Sequence, residues 1–119
     1  MPGKEKLAIR SRIRVLSGED VLLGPGKADL LEAIARTGSV KRAAAELEMS
    51  YMRAWSLVGV MNRGFRKPLV ALDRGGSRRG GAALTREGAA VLTLYRKLEA
   101  ASGAAMAPDW RRLRRHLSR

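Results

Sequence analysis

Residues 37–63, TGSVKRAAAELEMSYMRAWSLVGVMNR, decide the fold. Gly38 is a natural helix stop, and Ser39 offers a side-chain acceptor to the free N–H groups of a new helix. Val40, Ala43, Ala44 and Leu47 recur at helical spacing, which predicts a short helix over Val40–Leu47 with those four on its core face. Ser50 caps a second start directly after Glu48-Met49, and a further helix runs from Tyr51 to about Arg63. Two short helices joined by so few residues must cross steeply, and Ala43 and Ala44 are small enough to let them approach closely. That is a helix-turn-helix unit.

Working upstream, Leu30, Leu31, Ile34 and Ala35 predict a helix over Lys27–Thr37, preceded by the break Gly24-Pro25-Gly26. Before the break, Ile9, Ser11, Ile13 and Val15 alternate with Arg10, Arg12 and Arg14, the period of a half-buried strand. With the turn cluster Ser17-Gly18-Glu19-Asp20 and the apolar Val21-Leu22-Leu23, the segment reads as a β-hairpin. Its arginine face is better read as protecting a strand edge than as gripping phosphate.

Downstream, Leu69–Leu72 and Ala82–Leu84 are two short apolar runs flanking Arg74–Gly81, which holds four glycines and three arginines. They read as two strands and the tip of a wing. Thr85 caps a final long helix with an apolar stripe of Val91, Leu92, Leu94, Tyr95 and Leu98, expected to stop at Ser102-Gly103. The tail contains Pro108 and five arginines, and is expected to be partly ordered at most, with a short helix aligning Trp110, Leu113 and Leu117. The predicted organisation is an arm over 1–8, a domain over 9–102 and a basic tail over 103–119. The fold class is α/β, a winged helix-turn-helix with an N-terminal β-hairpin and a long C-terminal dimerisation helix.

With 119 residues the chain fits one core. The absence of cysteine excludes a disulfide framework, a thiolate zinc site and a cysteine nucleophile. The N-terminus, Met1-Pro2-Gly3-Lys4-Glu5-Lys6, lacks the apolar run of a signal peptide, and no segment approaches the roughly 20 apolar residues of a membrane span, so a cytoplasmic protein is expected. Lysine and arginine number 24 against 11 aspartates and glutamates, a formal +13. A small domain so charged repels itself, and the usual compensating partner is a polyanion, nucleic acid first. Catalysis finds little support. His116, the single histidine, lies in the basic tail, Glu46 and Glu48 flank a helix end, and no metal or cofactor site is expected. A nucleotide cradle at the glycine-rich stretch fails because no Lys-Ser/Thr follows and a strand comes next.

The helix from Ser50 to Arg63 has no carboxylate and is the candidate reader of the major groove, which admits one α-helix. Ser50, Tyr51, Arg53 and Ala54 lie on its first turns. Arg53 is the donor fork suited to guanine, Ser50 and Tyr51 suit phosphate or a pyrimidine methyl, and Trp55 and Val58 suit the core. Ser39, Lys41 and Arg42 open the preceding helix, where backbone N–H groups receive a phosphate or serve capping alone. Arg78 and Arg79 at the wing tip can follow a phosphate ridge or enter the minor groove. Val91, Leu94, Tyr95 and Leu98 form a stripe wider than the wing needs to cover, which suggests a two-fold contact.

The run Gly75-Gly76-Ser77-Arg78-Arg79-Gly80-Gly81-Ala82-Ala83-Leu84-Thr85-Arg86-Glu87-Gly88 resembles the N-terminal domain of the ModE family of molybdate-responsive bacterial transcription regulators. So do Gly24-Pro25-Gly26-Lys27-Ala28-Asp29-Leu30-Leu31, Thr37-Gly38-Ser39 with Ala43-Ala44, and Met49-Ser50-Tyr51 with Ala54-Trp55 and Met61-Asn62. The resemblance covers about residues 7 to 102, and the layout is also similar to the DNA-binding half of LysR-type regulators. It implies a sequence-specific, double-stranded DNA-binding homodimer that regulates transcription. Complete members carry C-terminal domains for molybdate that have no counterpart in these residues, so molybdate binding is not expected of this chain alone. Glu48 stands where the related turn usually has glycine, and a positive φ there would cost on the order of 1 kcal/mol. The rival readings are a nonspecific architectural nucleic-acid protein and a protein-interaction module on the same fold.

Overall fold

The computed structural model describes residues 6–73 and 81–118. The elements are β1 (Val15–Ser17), β2 (Asp20–Leu23), α1 (Pro25–Thr37), α2 (Val40–Glu46), α3 (Tyr51–Gly64), β3 (Val70–Asp73), β4 (Gly81–Leu84) and α4 (Arg86–Leu113), closed by a 3-10 turn at Arg114–His116. This is a winged helix-turn-helix with two separate two-stranded antiparallel sheets.

Local chemistry sets most boundaries. Pro25 opens α1, where its fixed φ suits a first helical turn, and Gly38 closes it at φ 73°. Ser39 accepts from the Arg42 N–H, Ser50 from the Arg53 N–H and Thr85 from the Gly88 N–H, so all three foreseen caps form. After α2, the Glu48 N–H reaches the Ala45 carbonyl and the Met49 N–H that of Ala44, a paired closure that needs a left-handed residue at position 48. Glu48 adopts it at φ 55°, a strain of about 1 kcal/mol held by those two bonds.

One core joins the parts. Leu30, Leu31 and Ile34 of α1 pack with Val40, Ala43 and Ala44 of α2 and with Ala54, Val58 and Met61 of α3. Leu69, Val70 and Ala82 bring in the base of the wing, and Leu23 and Tyr95 close the cluster from β2 and α4. Each fully buried aliphatic side chain contributes about 1.5–3 kcal/mol by leaving water. Ala35, expected on the apolar stripe of α1, is exposed, and Ala28 and Ala33 take the inward positions.

Two expectations are corrected. No strand spans residues 9–14, and the hairpin begins only at Val15, with Val15 pairing Leu23 and a register irregularity before Leu16. The alternation holds over residues 10–15, where Ser11, Ile13 and Val15 are half-buried while Arg10, Arg12 and Arg14 are exposed, but Ile9, expected on the inward side, is 42% exposed. An extended segment lying on the core shows that period without a ladder partner, so these arginines do not guard a paired edge. The second correction concerns α4, which does not stop at Ser102-Gly103 but continues to Leu113 with Pro108 inside it. Ala100, Ala101, Ala104, Ala105 and Ala107 flank the glycine, and their helix propensity outweighs a cost of about 1 kcal/mol there. The boundary predicted at residue 103 therefore falls inside a helix.

Candidate nucleic-acid interface

Helix α3 shows its faces by burial. Ala54, Val58 and Met61 point into the core. At 100° per residue the opposite stripe is Met52, Ser56, Gly59 and Arg63. Met52 is 80% exposed. Gly59 is covered by the Arg63 guanidinium, whose nearest nitrogen lies 2.9 Å from where a Cβ would stand. Of the residues expected to read bases, Arg53 is exposed and makes no ion pair among the described residues. Ser50 is exposed with its Oγ committed to the cap at 3.0 Å. Tyr51 is partly held on the flank by an edge-on contact with Trp55, ring centroids 5.9 Å apart. Ala54 is fully buried and leaves the reading face.

Two basic residues join Arg53 that the sequence did not single out for this face. Lys27, half-buried at the start of α1, has its ammonium pushed below the ordinary lysine value, first by burial and then by the positive charges of Arg53 and Arg14. Three cations from the N-terminal segment, α1 and α3 therefore converge. Across α1 the sign reverses. Asp29 and Glu32, roughly 200° and 140° around the helix from Lys27, hold Arg96 of α4 at 2.9 and 3.2 Å, with Glu99 adding a third carboxylate at 2.8 Å. Burial opposes the charge on Arg96, but hydrogen bonds to Glu99 and Asp29 and the charge of Glu32 outweigh it and raise its pKa. Arg36 pairs with Glu46.

Asn62 ties the wing to α3. Its Oδ1 accepts from the Leu69 and Val70 N–H groups at 2.9 and 3.0 Å, and its Nδ2 donates to the Val70 carbonyl at 3.1 Å. On the other side of the wing, the Ala82 N–H donates to the Gly38 carbonyl at 2.9 Å, which anchors β4 to the loop between α1 and α2. In that loop the Ser39 Oγ is engaged at 3.1 Å in capping, while Lys41 and Arg42 are exposed. Arg78 and Arg79 lie outside the described residues.

On α4 the expected stripe divides. Tyr95 is 1% exposed and belongs to the core of its own chain, so it is corrected out of an intermolecular surface. Val91 is half-buried against that core, whereas Leu94 and Leu98, one turn apart, are 60% and 51% exposed. No helix among the described residues is long and apolar enough to cross a membrane. No group of three or more candidate metal ligands occurs among them.

With α1, the crossed pair α2–α3, the wing and the cap of α4 in place, one comparison decides the family. Bacterial regulatory helix-turn-helix proteins of the lysR family match residues 27–89, from α1 into the first turn of α4 and just over half of the chain. The chain belongs to this lysR family. Among similar curated proteins, the molybdenum-pterin-binding protein MopA of Rhodobacter capsulatus is 42% identical over 79 residues, covering 66% of this chain and 30% of its own length. The molybdenum transport protein ModE of Azotobacter vinelandii is 44% identical over 70 residues, covering 59% of this chain and 26% of its own length. The DNA-binding transcriptional dual regulator ModE of Escherichia coli is 38% identical over 71 residues, covering 60% and 27%. The lysR-family chain thus spans less than a third of the length of these relatives.

Proposed function

We propose that this chain is the sequence-specific DNA-binding unit of a bacterial transcription regulator, works as a homodimer in the cytoplasm and carries no catalysis of its own. One observation supports this above the others: α3 presents an outward face without a carboxylate, and Lys27, Arg14 and Arg53 gather beside it without acidic partners among the described residues. Such a helix enters the major groove with base edges at its N-terminal turns. Ser39, Lys41 and Arg42 then position a phosphate, and Arg78 and Arg79 of the wing reach the neighbouring backbone or minor groove. Leu94 and Leu98, continued by Val91, form the two-fold contact. The relatives named for molybdenum extend far beyond the matched residues, and no molybdate site is proposed within the matched ones.

The deciding experiment is selection of bound sequences from a random duplex pool, followed by affinity measurement on the selected site and on scrambled DNA. A preference of about 10³ or more for the selected site is expected. Equal affinity for both would make the chain an architectural DNA protein. Salt-independent, negligible binding to either would make it a protein-interaction module.

A further inference from the structure

Met52 is an apolar side chain that the described residues leave largely uncovered. It is 80% exposed, although hydrophobic burial elsewhere in the helix is complete at Ala54, Val58 and Met61. It stands on the first turn of α3, on the stripe opposite the core, where the other positions are Ser56, Gly59 and Arg63. The flank beside this methionine is cationic: Arg53 follows it directly, Lys27 lies near Arg53, and Arg14 lies near Lys27. A polyanion that offers one apolar point is the complementary occupant. On the major-groove edge of the four base pairs the apolar point is the C5-methyl group of thymine.

Resting on the DNA-binding reading above, we infer that Met52 is a specificity-determining residue that recognises a thymine methyl. Ser56, one turn on, is too small to hold the first turn away from the groove floor, and the Arg63 guanidinium that covers Gly59 lies about two turns beyond Met52, so it is the first turn that descends to base-edge depth. The unbranched thioether of methionine is polarisable and adapts its three torsions to the methyl group. Arg53, roughly 100° around the helix, is left to a separate contact on a neighbouring base or phosphate.

The test uses the full chain and the duplex chosen by selection, with each thymine replaced singly by deoxyuridine, which deletes only the methyl group. Binding is followed by fluorescence anisotropy at fixed salt. The unmodified chain should lose about three- to fivefold in affinity at one symmetry-related thymine, the size expected for one buried methyl group. Met52→Ala should bind the thymine duplex more weakly by a similar factor and be indifferent to uracil at that position. Met52→Leu, which keeps an apolar contact, should remain sensitive, and all three proteins should share one dependence of affinity on salt. Because Met52 is exposed, folding is not at stake, and circular dichroism confirms it. The assignment is overturned if uracil is tolerated everywhere, if Met52→Ala keeps the same sensitive position, or if the selected site has no thymine where α3 lies. A chain with no preferred site at all overturns the DNA-reading role and this assignment together, a result distinct from specific binding that ignores the methyl.

Discussion

The hydroxyl of Tyr95 donates a 2.8 Å hydrogen bond to the carbonyl of Ile13, a residue 82 positions earlier in the chain. This bond pins the extended N-terminal segment onto α4, in place of the strand ladder that its alternating pattern suggests. Tyr95→Phe should cost about 0.5–1.5 kcal/mol in urea denaturation, the ordinary net worth of one such bond. The phenol is held above its ordinary pKa of 10.0, first by burial and then by the charge of Glu99, so the folded state keeps its proton longer than the unfolded chain. Its stabilisation is therefore complete below about pH 10 and falls as pH rises above that value. The advantage of the parent chain over Tyr95→Phe should shrink correspondingly in alkaline titration, and an advantage constant with pH would contradict this account.

Two glycines of α4 should respond in opposite directions to alanine. A Cβ on Gly88 would stand 2.1 Å from the Leu69 carbonyl oxygen, a backbone atom at the base of the wing that itself accepts from the Thr85 N–H. Gly88→Ala should destabilise by about 3 kcal/mol or more. At Gly103 an added Cβ meets nothing within 4 Å, so Gly103→Ala should raise stability by about 0.5–1 kcal/mol. Thermal denaturation of both variants checks the pair.

Lys27 should trade stability against binding. Its ammonium is depressed by burial and by Arg53 and Arg14, so Lys27→Gln relieves the free protein and should raise its melting temperature. On DNA the same change removes a cation facing phosphate, and the slope of log affinity against log salt should fall by about one unit. A variant that melts lower would contradict the charge strain in the free protein, and one that keeps the full slope would place Lys27 outside the interface.

Reading and positioning should separate by mutation. Arg53→Ala should cost about 1 to 3 kcal/mol at one base position and relax preference there. Arg78→Ala with Arg79→Ala should weaken specific and random duplex alike, lowering the salt slope by about one unit per lost contact while leaving the preferred sequence unchanged. Affinities on selected and scrambled duplex at several salt concentrations check both, and a wing variant that prefers a different base would reverse the roles.

Self-association should depend on the exposed pair of α4. Leu94→Glu with Leu98→Glu is expected to turn a dimer at micromolar concentration into a monomer by sedimentation, with folding retained because both side chains lie outside the core. An unmodified chain that is monomeric both free and on DNA would remove the two-fold model.

What was legible in the sequence is what neighbours within a few residues determine. Ser39, Ser50 and Thr85 act on N–H groups three positions away, so their caps could be read directly. The alternation around Ile13 was read correctly as burial and incorrectly as strand pairing, because exposure has a period while a ladder partner has none. Gly103 signals a helix stop by itself, but its alanine flanks carry the helix through it. Lys27 and Asn62 lie in stretches that carry the family resemblance, but their roles come from residues brought near by folding, which no local pattern reveals. Met52 is legible only by counting from Ala54, Val58 and Met61, which places it opposite the core, because its apolar side chain carries none of the polar signals that mark Ser50, Tyr51 and Arg53.

The clamp on Arg96 has a consequence for how the molecule meets its partner. Together with the Arg36–Glu46 pair it absorbs four of the eleven carboxylates, and Asp29 and Glu32 sit on the side of α1 turned away from Lys27. Three carboxylates against one guanidinium leave a local negative excess on that side of α1, while Lys27, with Arg53 and Arg14 near it, leaves a positive one on the other. In the field of a duplex the two sides of α1 are drawn unequally, and this local contrast favours arrival with the Lys27–Arg53 side toward the phosphates. Encounter then requires less orientational search, so added salt should slow association much more than it speeds release.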